Sequence, residues 1–121
     1  MSEALDRWSP TSRATASEME TVLLQQLRGH GLDPIVQFDV LDEFGNLVAT
    51  TDLGLPKSLV TIDYDSMQEH SDEFQIARDN RRRNEIIAAG YKPLVARYND
   101  VRSGARQLMD EIERASRRPA S

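Results

Sequence analysis

Cysteine is absent from the 121 residues, which excludes a disulfide framework, a thiolate metal site and a cysteine nucleophile. Long apolar runs are absent too. No stretch approaches the roughly 20 apolar residues that span a bilayer. The opening MSEALDRWSPTSRATAS has no apolar h-region, so no signal peptide and no membrane partner are expected, and a cytoplasmic location is the default. No internal repeat is visible. Positive charge is scarce in the first part of the chain: residues 1–76 hold 4 Lys and Arg against 14 Asp and Glu, a balance of −10. Residues 77–121 reverse this, with 11 against 6, a balance of +5. The net charge of −5 and a pI near 5.0 argue against tight non-specific DNA binding by the whole chain. A basic half beside an acidic one remains compatible with a phosphate-facing surface next to a cation site, and equally with helices that are merely solvated.

What is present is the composition of an ordinary soluble globular protein, 39% hydrophobic and 29% charged, with length for one modest core. Residues 1–16 read as a loose lead-in, 17–116 as the single domain and 117–121 as a frayed tail. Ser17 and Glu20 form a capping-box pattern before the helical stripe Met19, Val22, Leu23, Leu24 and Leu27, which should stop near Gly29 or Gly31. IVQFDVL (35–41), DEFGN and LVATTDLGL (47–55) read as a β-hairpin. LVTIDYD (59–65) is a third strand. A helix follows from about Ser71 to Ala89, with Ser71 as cap and Gly90 as stop. YKPLVARY (91–98) is a strand that Pro93 assigns to an edge or bulge. A last helix opens at Asp100 or Ser103, with Val101, Ala105, Leu108, Met109 and Ile112 on one apolar face. The order α-β-β-β-α-β-α predicts an α/β domain with a mixed sheet flanked by helices.

The costly feature is at the end of the third strand, where Asp63 and Asp65 share a face. Like charges so close repel unless something positive lies between them. Asp52 ends the preceding strand, and sequential strands are usually neighbours. Asp52, Asp63 and Asp65 are therefore candidate ligands of a hard divalent cation, Mg²⁺ or Mn²⁺, at one rim of the sheet. The alternative is that Asp65 caps a turn with Ser66. His70 follows closely enough to accept a proton from a metal-bound water, although a lone histidine there also suits a helix mouth. His30 reads only as a helix-end residue. In RDNRRRNE (78–85), Arg78, Arg81 and Arg82 present guanidinium groups suited to phosphate oxygens, unless Asp79 pairs with Arg82 and Arg83 along a solvated face.

Together these features resemble the very-short-patch-repair-like branch of the PD-(D/E)XK nuclease superfamily, many of whose members are small bacterial domains. The pattern is an acid in the first helix, an aspartate ending the second strand, (E/D)-x-D-G-x-x-H, a helix with R-D-x-x-R and a G-(W/Y)-x-x-(L/V) strand, and it runs from about Ser17 to Val101. The resemblance implies a restriction-endonuclease-like core and metal-dependent hydrolysis of DNA phosphodiester bonds. Carried over by position, Glu20 is the first-helix acid that supports the metal water and Asp52 the central metal ligand. Asp63 and Asp65 take the E-x-D positions, His70 is the general base, and Asp79 and Arg82 belong to the helix motif.

The sequence departs from that pattern in several places. Ser66 replaces the usual glycine, Asp63 is shorter than glutamate, no lysine occupies an E-x-K position, and Tyr91 stands where many relatives have Trp. The aromatic wedge and structural zinc ligands of mismatch-specific repair enzymes are missing, so mismatch specificity is not expected. A second reading follows from a different class: a nuclease fold retained as a nucleic-acid- or protein-binding module of a regulatory or defence system. A DNA-binding segment ahead of the first helix is not expected, and dimerisation through the last helix would supply extra surface unless its stripe packs on the sheet.

Overall fold

The computed structural model describes residues 15–65 and 72–117. The first helix, α1 (Ala16–Gly29), is capped by Thr15 rather than Ser17. The Thr15 hydroxyl accepts from Glu18 N at 3.1 Å, and Glu18 Oε1 accepts from Thr15 N at 2.8 Å. This shift frees Glu20 from any capping duty. The stripe Met19, Val22, Leu23 and Leu27 is buried as its spacing requires, and His30 closes the helix.

The hairpin falls where it was expected, as β1 (Ile35–Leu41) and β2 (Leu47–Leu55). The third strand, β3 (Val60–Tyr64), pairs antiparallel with β2. Helix α2 (Glu73–Ala88) is capped by Asp72, not Ser71, through a 2.8 Å bond from Phe74 N; Ser71 lies outside the described residues. It leads to β4 (Lys92–Ala96), which runs parallel to β3. The sheet order is β1-β2-β3-β4. Pro93 is thus on an edge strand, where its missing N–H costs least.

Strand alternation sorts the two faces. Leu53, Leu55, Val60, Ile62 and Ala96 join the stripe of α1 in the main core. Asp52, Gly54, Asp63 and Asp65 alternate with them, and α2 covers that side with Ile86 fully buried. At Gly54 the ring of Phe38 lies where a Cβ would stand. The glycine is needed for that close approach, and Phe38 in turn meets Tyr91 at 5.6 Å between ring centroids.

The last helical segment differs from expectation in one respect. It is two helices, α3 (Tyr98–Arg102) and α4 (Arg106–Arg117). Gly104 and Ala105, both at positive φ, break it. The break keeps the apolar set in register with the sheet: Val101, Ala105, Leu108 and Ile112 are all buried. The stripe thus packs on the sheet, the alternative to its use as a dimer interface. Among the described residues no helix is long and apolar enough to cross a membrane.

Candidate active site

The β2–β3 ladder runs from Leu55↔Val60 to Leu53↔Ile62 and then stops. The next rung would join Asp52 to Asp63. Instead Asp63 Oδ1 accepts from Asp52 N at 3.0 Å, and Asp52 Oδ2 accepts from Tyr64 N at 2.8 Å. Side-chain carboxylates take the place of main-chain carbonyls, so the amides stay satisfied while the strands part. On its other side β3 remains paired with β4 through Tyr64↔Ala96, and Asp65 N donates to Ala96 O at 2.9 Å. The result is a fork in the sheet, with acids at its crotch.

Glu20 reaches this fork from α1. Partial burial, then the charges of Asp52 and Asp63, then a hydrogen bond shared with Asp52 hold its carboxyl above the ordinary 4.5. Burial likewise pushes Asp52 above 3.8. The Tyr64 N–H opposes that rise, Asp63 adds to it, and Arg82 and the bond with Glu20 subtract from it. Glu20 and Asp52 are therefore both harder to ionise than free carboxyls, and the hydrogen bond between them couples the two.

The positive partner of the paired acids is guanidinium. Arg82 donates from Nη1 to Asp63 Oδ2 at 2.9 Å and from Nη2 to Thr50 O at 2.8 Å, which straps β3 to β2 across the fork. Arg97 lies 3.6 Å from Asp65. Asp63 and Asp65 do share a face, and both line a groove of ≈ 520 Å³ with Arg82, Arg83 and Arg97. Arg78 and Arg81 do not line it. Arg78 donates to Gln75 Oε1 at 2.9 Å and Asp79 accepts from Gln75 at 3.0 Å, while Arg82 pairs with Asp63, so the alternative of an Asp79–Arg82 pair along a solvated face is not what forms. Arg82 is committed to Asp63 and Thr50. Arg83 lines the groove beside them, and Arg97 does so while paired with Asp65. Arg83 was legible as the third member of the RRR run; Arg97, just past a strand end, carried no local signal.

His70 lies outside the described residues. Its spacing also departs from the motif, because three residues (67–69) separate it from Ser66 where the pattern has two. Among the described residues no three Asp, Glu or His side chains stand ready to hold a metal ion. Both Asp63 oxygens are engaged, one by Asp52 N and one by Arg82. The Glu20–Asp52 pair fits a hard cation better, because two carboxyl groups close enough to hydrogen-bond can also offer oxygens to one divalent ion.

No protein-family model and no curated protein matches the chain by sequence. In three dimensions it is similar to the catalytic domain of the homing endonuclease I-Bth0305I. The TM-score is 0.61 at 14% identity, covering 87% of this chain and 100% of that domain. The fold is nuclease-like. Within such a fold the forked strands are the feature that gathers acids from α1, β2 and β3, while α2 and β4 supply the walls of the groove beside them.

Proposed function

We propose that this chain is a metal-dependent endonuclease-like domain that hydrolyses DNA phosphodiester bonds at the β2–β3 fork. The observation that carries the reading is the Glu20–Asp52–Asp63 cluster, in which burial and neighbouring carboxylates hold Glu20 and Asp52 above their ordinary ranges. Carboxyls perturbed by burial and by one another's charge gather at functional sites. Asp52 and Glu20 would hold Mg²⁺ or Mn²⁺, with Asp63 beside them. When bound, the ion would acidify water and offset the charge that develops on phosphorus-bound oxygens. Arg82 keeps Asp63 aimed into the fork, Arg83 meets phosphate oxygens in the groove, and His70 remains the expected base. The similarity to a homing endonuclease catalytic domain supports the fold on which this reading is built.

A calorimetric Mn²⁺ titration tests it, paired with nicking of supercoiled plasmid. Wild type is expected to bind the ion and to nick with Mg²⁺ or Mn²⁺, and Asp52→Ala to do neither. Absence of ion binding by wild type overturns the proposal. Equal nicking by the variant would trace the activity to a contaminant.

A second reading is favoured by the two arginines. Arg82 and Arg97 already neutralise Asp63 and Asp65, as expected of a nuclease fold kept for binding alone. It predicts DNA retention in a gel-shift assay without metal-dependent cutting.

A further inference from the structure

The tip of the β1–β2 hairpin exposes apolar side chains in one place. Phe44 is 79% exposed and Leu47 62%, and with Leu41 and Leu59 they line a groove of ≈ 890 Å³. Its other wall is the C-terminal end of α2, with Ala88, Ala89 and Tyr91. The groove lies apart from the acidic fork and shares no lining residue with the one beside it.

Two features distinguish this surface from a scatter of stray apolar residues. The first is rigidity. Asp42 Oδ1 accepts from Phe44 N at 2.9 Å and Asn46 N at 2.8 Å, while Asp42 N donates to Asn46 O and Gly45 N to Asp42 O. The turn thus fixes the backbone that carries Phe44 outward, so little main-chain ordering entropy is left to lose on binding. The second is charge. Asp42, Glu43 and Glu85 border the groove, and no Lys or Arg lines it. Backbone hydrogen bonds, led by that from Asn46, keep the Asp42 carboxyl below its ordinary range, so its charge persists.

We propose that this groove docks a short basic polypeptide segment of a partner protein, with apolar side chains seated against Phe44 and Leu47 and Lys or Arg facing Asp42, Glu43 and Glu85. The acidic rim repels nucleic acid. A second copy cannot supply the segment from α4, whose apolar face is spent on the sheet. Anchors in the centre with charges at the rim are the usual division of labour in such an interface.

The test uses a fluorescein-labelled amphipathic peptide of Leu and Lys, a matched peptide of Leu and Glu, and the full chain, read by fluorescence anisotropy. Wild type is expected to bind the Leu/Lys peptide and not the Leu/Glu peptide. Phe44→Ser or Leu47→Ser should weaken binding at least about tenfold, as loss of a buried anchor does. Glu43→Lys combined with Glu85→Lys should abolish the preference for the basic peptide. Both positions of the serine variants are exposed, so unfolding is not expected, and the charge-reversal pair gives an independent reading. Equal binding of the two peptides, or indifference to Phe44→Ser, overturns the proposal. So does a concentration-dependent dimer in sedimentation that Phe44→Ser dissolves, because the occupant is then a second copy.

Discussion

Asp52 and Asp63 each hold the other's strand by a carboxylate, Asp63 Oδ1 taking the Asp52 N–H at 3.0 Å and Asp52 Oδ2 the Tyr64 N–H at 2.8 Å. That exchange explains why the sheet opens where it does. A main-chain ladder continued by one rung would bring the strands together and leave two carboxylates facing each other with no donors. Replacing main-chain carbonyls by carboxylates keeps the Asp52 and Tyr64 amides paired and moves the strands apart, which makes room for Glu20 and for the Arg82 strap.

The same geometry separates stability from function at Asp52. An Asn there still accepts from Tyr64 N and can donate toward Glu20, so the fork keeps its shape. It also removes a charge that burial disfavours. Asp52→Asn is expected to be as stable as wild type near neutral pH, or more stable by up to about 1 kcal/mol, while losing Mn²⁺ binding. Urea denaturation and calorimetry on the same samples check both halves. A marked loss of stability would mean that the charge holds the fork together.

The raised carboxyls of Glu20 and Asp52 fix the sign of a pH dependence. Between the ordinary values, 4.5 and 3.8, and their higher folded-state values, the folded protein binds more protons than the unfolded chain. Stability contributed by these two groups is therefore present at low pH and lost as pH rises through that window. Thermal melts from acid toward neutral pH should show a decline in wild type that Glu20→Gln combined with Asp52→Asn reduces. Asp42, shifted the opposite way, is common to both proteins and cancels in the difference.

Arg82 makes two bonds with one planar group, to Asp63 and to the Thr50 carbonyl. Arg82→Ala removes both and leaves Asp63 half-buried without its cation. Solvent reaches the pair, since the side chains are 41% and 27% exposed, so the cost should fall in the lower part of the roughly 1–3 kcal/mol range for charged hydrogen bonds. Arg82→Lys should recover only part of it, because an ammonium lacks the fork that spans both acceptors. Equal stability of the Lys variant and wild type in urea would reduce the strap to a single contact.

How far the chain was legible follows from which forces are local. The hairpin limits were readable because alternation and the DEFGN turn are local signals. The cap of α1 was ambiguous, since Thr15-x-x-Glu18 and Ser17-x-x-Glu20 are overlapping boxes with the same chemistry. The choice between them is made by tertiary structure, which needs Glu20 at the fork. Pairing of Asp63 with something positive was legible as a need, but not its source. Arg82 lies 19 residues on, and only the packing of α2 across β2 and β3 brings it there. The break at Gly104 and Ala105 was missed because the apolar spacing survives it.

Gly54 offers a test of the α2 face that is independent of any chemistry. A methyl group on this residue would fall on the Phe38 ring, which is itself placed against Tyr91. Gly54→Ala should therefore cost about 1–3 kcal/mol, the usual range for overpacking, even though alanine is better suited than glycine to a strand. If the clash is the cause, shrinking the ring must relieve it. Phe38→Leu alone should destabilise by loss of packing, yet the double variant should be more stable than the sum of the two single losses predicts. A double-mutant cycle in urea measures that coupling. Strict additivity would mean that the glycine is required for some reason other than the ring above it.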